Sequence, residues 1–287
     1  MSLQLEAGDT QLAIDAERGG RIASLVVGGR ELILGPPDDR DAGIDWGCYL
    51  MVPWAGRIED GRLDWGGVRA TLPTPTERHA LHGVGYGSAW TVEEADRREA
   101  RLRLALGPAG WPFGGTVVQT YELRADGLVV TAELEAERPT PVVLGWHPWF
   151  RSNGEAAHVT LVAGSTLEAV DRIPTGRLLP LDERTDLGPS VPIVGRPLDD
   201  AYPEVDEPAF VEWERLTLRI DLEPRPATFV VYTRGETFCV EPQTGWPNAI
   251  ALAAAGIEST GLVELGAGER FGATMQWRWA ETWTAEG

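Results

Sequence analysis

A chain of 287 residues can bury about three quarters of its unfolded surface, in one large domain or two modest ones. With 24% charged and 43% hydrophobic residues, and 34 Gly and 21 Pro spread along the length, it is not disordered, collagenous or a coiled coil. Its 25 basic and 44 acidic residues give a formal charge of -19, a field that repels nucleic acid and anionic lipid and favours neutral or cationic partners.

The start, Met1 to Glu6, has neither a basic n-region nor an apolar h-region, and no window reaches the roughly 20 apolar residues of a membrane helix. The sequence therefore predicts a cytoplasmic protein with no membrane partner. Period-two alternation in Gln11–Asp15, Arg101–Leu106 and Leu216–Leu222 predicts half-buried strands. Gly-containing turns in Val26–Leu32, Leu63–Val68 and Leu123–Val129 predict hairpins, the Gly supplying positive φ. No βαβ alternation occurs, so the expected fold is all-β, a large antiparallel β-sandwich with one or two short helices. One helix is expected near Asn248 to Gly256, with Asn248 capping its start and Gly256 its end. The Pro-rich, acidic stretch from Leu179 to Pro208 is the least strand-like. Similar patterning on both sides of it favours a single domain over residues 1–287.

Cys48 and Cys239 are too few for a disulfide framework and lack the spacing of a metal site, although one bridge between them stays open. Gly83-Val-Gly-Tyr-Gly87 lacks the dinucleotide-loop spacing and leads into a strand-like run, so nucleotide binding is discarded. His79 and His82 at i, i+3 on a strand point to opposite faces, which disfavours joint zinc ligation. No G-x-S-x-G elbow or H-E-x-x-H motif occurs. What remains is a set of separate polar residues set among Gly, Pro and Trp: Arg57, His82, His147 and Glu241. Proline beside a His or Glu ends strand pairing and frees the side chain for a ligand.

These segments resemble the aldose 1-epimerase (galactose mutarotase) family along nearly the whole chain. The resemblance is carried by Asp15–Leu25, Pro53-Trp-Ala-Gly-Arg-Ile-Glu-Asp-Gly61, Leu81-His-Gly83, Trp111-Pro-Phe113 with Tyr121-Glu-Leu123, Gly145-Trp-His-Pro-Trp-Phe150 and Val240-Glu-Pro-Gln-Thr-Gly245. It implies a galactose mutarotase-like supersandwich with a monosaccharide in a groove on one curved sheet, as monomer or homodimer, with no cofactor and no metal. It further implies Glu241 as the base at the anomeric hydroxyl and His147 as the acid at the ring oxygen. Arg57 and His82 would bond the sugar, with Asp199 as its hydroxyl-binding carboxylate, although adjacent Asp200 leaves that register open. Anomer exchange removes one proton at O1 and adds one at O5, so a Glu and a His suffice. An anionic Glu241 beside His147 is expected to favour the imidazolium. Five of the 12 Trp fall in these motifs (Trp54, Trp90, Trp146, Trp149 and Trp246), and Trp149 and Trp246 are expected to line the groove.

Two departures stand out. Gly56 occupies a position where the family commonly has Asn, and Trp146-His147-Pro148-Trp149 replaces an Asn-His-x-Tyr form. The expected activity is interconversion of the anomers of a neutral hexose. The alternatives are a phosphorylated hexose as substrate, a catalytically silent carbohydrate-binding or sugar-sensing protein, and a glycoside hydrolase or lyase.

Overall fold

The computed structural model describes residues 2–36 and 43–281. Two nine-stranded antiparallel sheets face each other across a core to which both contribute. The first sheet runs from Ser2–Ala7 through Thr10–Asp15, Arg21–Val27, Cys48–Met51, Gly145–Arg151, Thr237–Gln243 and Ala227–Arg234 to Asp199–Val205, with Arg30–Glu31 added beside Arg21–Val27. The second runs from Thr91–Ala95 through Glu99–Ala105, Thr116–Arg124, Gly127–Glu135, Arg270–Glu281, Leu216–Glu223, Ala209–Trp213 and His158–Leu161 to Leu187–Pro192. This is the expected antiparallel sandwich, and its outer strands show the expected alternation: Glu99–Ala105 exposes and buries successive residues without a break.

All three expected hairpins form. In the third, however, the two-residue turn is Ala125-Asp126, without positive φ, and pairing resumes at Gly127. Gly127 is required for clearance instead, because a Cβ there would lie 2.6 Å from the Trp277 carbonyl oxygen. The Pro-rich segment from Leu179 to Pro208 holds more strand than its composition suggests. It contributes the edge strand Leu187–Pro192 to one sheet and the edge strand Asp199–Val205 to the other. Edge strands tolerate Pro189, Pro192 and Pro203 because one side of the ladder is unpaired.

The helix spans Ala249–Ala254 and ends before Gly256, whose φ of 84° takes the left-handed turn. Asn248 does not cap it. Its own backbone is left-handed, and its Nδ2 donates to the Pro174 carbonyl at 3.2 Å, tying the helix start to the neighbouring hairpin. The two cysteines are free and buried. They lie on the strands either side of Gly145–Arg151, Cys48 opposite Pro148 and Cys239 opposite Trp149.

Strands at the centre of the first sheet are buried on both faces, so alternation there separates two environments rather than core from water. Cys48, Leu50, Trp146, Phe150, Phe238 and Val240 enter the core between the sheets. Tyr49, Met51, Trp149 and Cys239 point the other way, into a second apolar layer. The cover over that layer includes a small ribbon in which Arg57 pairs with Leu81 and Ile58 with Ala80. The next residues, His82 and Gly83, both have positive φ, and Gly83 leaves no room for a side chain: a Cβ would stand 2.0 Å from the Val52 carbonyl oxygen. Gly83→Ala should therefore cost roughly 2–4 kcal/mol through backbone strain and displacement. Thermal denaturation should show the midpoint falling by about 5–10 °C; an unchanged midpoint would contradict this reading.

Candidate active site

Register across the first sheet assembles the site in rows. Glu241 lies opposite Val230, Val230 opposite Ala201, and His147 opposite Tyr49. Since Gly145 faces Gln243 and Trp149 faces Cys239, His147 falls directly across from Glu241. A parallel row carries Asp199, Tyr232, Cys239 and Trp149. Gly145 is needed beside the pair, because a Cβ on it would come within 2.8 Å of Gln243 Cγ and 2.9 Å of Met51 Cε.

His147 Nε2 and Glu241 Oε1 stand 3.2 Å apart, with only 6% and 2% of the two residues exposed. Gln243 Nε2 donates to the other oxygen, Oε2, at 3.3 Å. The imidazole is clamped between rings. Tyr49 stacks on one side at 4.9 Å between centroids and Trp149 on the other at 5.5 Å. A guanidinium covers each outer ring: Arg21 lies over Tyr49 at 4.9 Å and Arg234 over Trp149 at 4.4 Å. Arg21 is itself fixed by carbonyls, donating to Arg18, Gly43, Trp46 and Tyr86.

Burial sets the charges. It pushes the His147 imidazolium down to about 3, with Arg21, Arg57 and Arg234 adding to the effect. Burial also pushes the Glu241 carboxyl well above the usual carboxylate range, helped by Asp199 and opposed by Arg57 and Gln243. Desolvation therefore acts against the charged form of both groups, in opposition to the expected carboxylate–imidazolium pair. His82 is likewise held neutral, first by burial and then by His147 and Arg57. Its tautomer follows from geometry, since Nδ1 accepts the Gly56 N–H at 3.3 Å and the ring proton must therefore sit on Nε2. The His82 and His147 rings meet edge to face at 4.9 Å.

Glu241, His147, His82, Arg57, Trp149 and Asp199 all line one groove with about 760 Å³ of accessible space. Trp246 does not line it. It follows the end of strand Thr237–Gln243, where the two-residue alternation lapses, and packs against Leu167, Ala201 and Leu252. Both Asp199 and Asp200 reach the groove, but the Asp200 carboxylate is held by Arg184, with Nη2 to Oδ1 at 2.9 Å, whereas Asp199 is the one whose charge acts on Glu241. Desolvation raises the Asp199 carboxyl above its ordinary value, while Arg57 and Arg172 oppose the shift.

Gly56 departs from the family pattern for a steric reason: its φ is 69° and a Cβ would lie 2.4 Å from Pro247 Cβ. Sequence reasoning passed over Glu77, Tyr49 and Gln243. Glu77 grips Arg57 through Nε at 2.6 Å and Nη2 at 3.3 Å. Among the described residues His147, Cys239 and Glu241 form the group that brings three potential metal-ligand atoms together, all within 4.8 Å of one another. A metal there would occupy both members of the His147–Glu241 contact.

The comparisons with known proteins agree with this fold. At the level of fold, the chain superimposes on a galactose mutarotase-like protein from Clostridium acetobutylicum with a TM-score of 0.84, at 17% identity over 97% of this chain and 95% of that one. It superimposes on an aldose epimerase homologue from C. elegans with a TM-score of 0.83, at 15% identity over 98% and 99%. In sequence it is 31% identical to mouse galactose mutarotase over 139 residues, 45% of this chain and 41% of the mouse protein. It is also 23% identical over 231 residues to the uncharacterized Escherichia coli protein YphB, 75% of this chain and 79% of that one. The family pattern described as aldose 1-epimerase matches residues 1–278, and on that match the chain belongs to the aldose 1-epimerase family.

Proposed function

We propose that this protein is an aldose 1-epimerase in activity as well as in family, interconverting the α and β anomers of a neutral hexose. The observation that carries the proposal is the buried contact between Glu241 and His147 at 3.2 Å on a groove wall that also carries Arg57, His82 and Asp199. The pair holds one mobile proton. Resting on Glu241, it leaves both groups neutral; moved to His147, it arms the pair without changing the proton count.

Arg57, Gln243 and the hydroxyls of an arriving sugar all favour the carboxylate, so binding promotes that transfer. Glu241 then takes the proton from O1 while His147 gives its proton to O5. The C1–O5 bond breaks as C1=O1 forms, leaving an open-chain aldehyde and returning the pair to its resting tautomer. Rotation about C1–C2 presents the other carbonyl face, and the same two transfers in reverse close the ring as the opposite anomer. His82 Nε2–H donates to the sugar, and Arg57, aligned by Glu77, offsets charge near the ring oxygen.

The electrostatics favour an uncharged sugar. Each arginine that lines the groove is already engaged by a lining carboxylate: Arg57 and Arg172 by Glu77, and Arg184 by Asp200. A phosphorylated hexose would have to displace one of these carboxylates and enter a groove dominated by acidic groups.

Polarimetry of freshly dissolved α-glucose and α-galactose tests the reading. Wild-type protein should speed relaxation, and Glu241→Gln should slow the catalysed rate by about 100- to 10,000-fold. Equal, uncatalysed relaxation in both would overturn it, and sugar binding without acceleration would favour a silent carbohydrate-binding protein.

The neutral histidines also predict how stability varies with pH. His82 binds its proton more weakly folded than unfolded, so its contribution is complete above the unfolded value of about 6.5 and is lost as pH falls below it. The slope approaches about 1.4 kcal/mol per pH unit for one such group. Urea unfolding across the acid range should show a shallower decline for His82→Gln than for wild type; identical slopes would refute the assignment.

A further inference from the structure

Cys239 is a buried thiol beside the acid–base pair, and the proposed reaction makes no use of it. Strand alternation puts it on the same face as Glu241, two residues on, and cross-strand register sets His147 directly opposite that carboxyl. One nitrogen, one sulfur and one oxygen from two neighbouring central strands thus converge, all within 4.8 Å of one another. His147 Nε2 and Glu241 Oε1 already stand 3.2 Å apart. Around a tetrahedral zinc ion, bonds of about 2.0 to 2.3 Å place neighbouring donors roughly 3.4 to 3.6 Å apart. The imidazole and carboxyl are close to that spacing as they stand, and side-chain rotation of the thiol by little more than about 1 Å completes it.

The chemistry of the donors agrees with the geometry. Imidazole, thiolate and carboxylate, with a fourth position open to a groove, are the make-up of a three-ligand zinc site, and the sulfur selects against magnesium and calcium. One thiolate and one carboxylate balance a divalent charge, so the loaded site is neutral where exposure of the three residues is only 0%, 2% and 6% for Cys239, Glu241 and His147. Gln243, whose Nε2 donates to Glu241, has a buried Oε1 without a hydrogen-bond partner among the described residues, an acceptor suited to a metal-bound water. Entry is from the groove, which His147 and Glu241 line. Trp149 and Tyr232, the neighbours of Cys239 in its row, form the adjoining wall.

We propose that His147, Cys239 and Glu241 form a binding site for a thiophilic divalent cation, with zinc as its representative and a groove water as fourth ligand. Binding makes one bond each to nitrogen, sulfur and oxygen and releases the thiol proton, with any carboxyl proton, to solvent. An ion held there also blocks sugar turnover; that consequence rests on the reading of Glu241 and His147 as the reacting pair.

Calorimetry with zinc chloride, and absorption spectroscopy with cobalt(II), test the site on the metal-free full chain. Wild type should bind one zinc per chain, and cobalt should give a thiolate-to-metal charge-transfer band with the visible bands of a tetrahedral ion. Cys239→Ala should lose that band and weaken zinc binding about 100-fold or more, since even an outer-shell partner is worth about 10- to 100-fold. Cys239→Ser, which keeps the side-chain volume, should behave in the same way. Cys48→Ala should do neither, because that thiol turns into the core between the sheets. In polarimetry, zinc should raise KM with kcat unchanged, a chelator should reverse the effect, and Cys239→Ala should keep its basal relaxation while resisting zinc. Absence of zinc binding, a cobalt spectrum without the charge-transfer band, or zinc affinity unchanged in both Cys239 variants would overturn the site. Zinc binding with the thiolate signature in a protein that accelerates no relaxation would support the site and overturn the reading of the reaction.

Discussion

A carboxyl and an imidazole held in contact where water cannot solvate either as an ion is the constraint around which the molecule is arranged. Alone, Glu241 or His147 in such a place would be a costly defect. Opposite one another on adjacent strands they stand 3.2 Å apart, within reach of a shared proton. The surrounding construction serves that state. Tyr49 and Trp149 fix the imidazole plane, Arg21 and Arg234 lie beyond them as outer plates, and Gln243 orients the carboxylate. Preorganised dipoles of this kind are the general source of electrostatic stabilisation in enzyme sites, because they need not reorient during a reaction.

The same arrangement explains why the sheet is buried on both faces. A half-exposed sheet would leave the pair in water, with ordinary acidities and no stored driving force. Cover from the Arg57–Ile58 and Ala80–Leu81 ribbon, with His82 at its end, makes the floor of the groove a low-dielectric place. Glu77 then ties that cover to the hairpin on the far side, because one carboxylate grips both Arg57 and Arg172.

Much of the fold was legible in the sequence because hairpin turns and period-two alternation are local signals. The central strands were less so: with both faces buried, Cys48–Met51 reads as a featureless apolar run, and Tyr49 carried no mark of its role against His147. Local motifs brought out Arg57, His82, His147 and Glu241, since Pro and Gly punctuate each of them. Glu77 lies in a polar loop where any acidic residue looks ordinary, and only the chain's return past Arg57 gives it a purpose. Trp246 was misplaced because motif membership does not fix which way a side chain turns once the strand has ended. The opposing effect of burial was hidden for a related reason: attraction between Glu241 and His147 can be inferred from their identities, whereas desolvation depends on everything stacked above them.

One feature of strand Thr237–Gln243 carries a lesson about inheritance. Phe238 and Val240 belong to the core, while Cys239, Glu241 and Gln243 belong to the second layer and the groove, so one short stretch of chain is written in two interleaved messages. Inserting or deleting a single residue there would exchange them, sending the carboxyl into the sandwich and phenylalanine into the groove. Such a strand can vary by substitution but not by change of length.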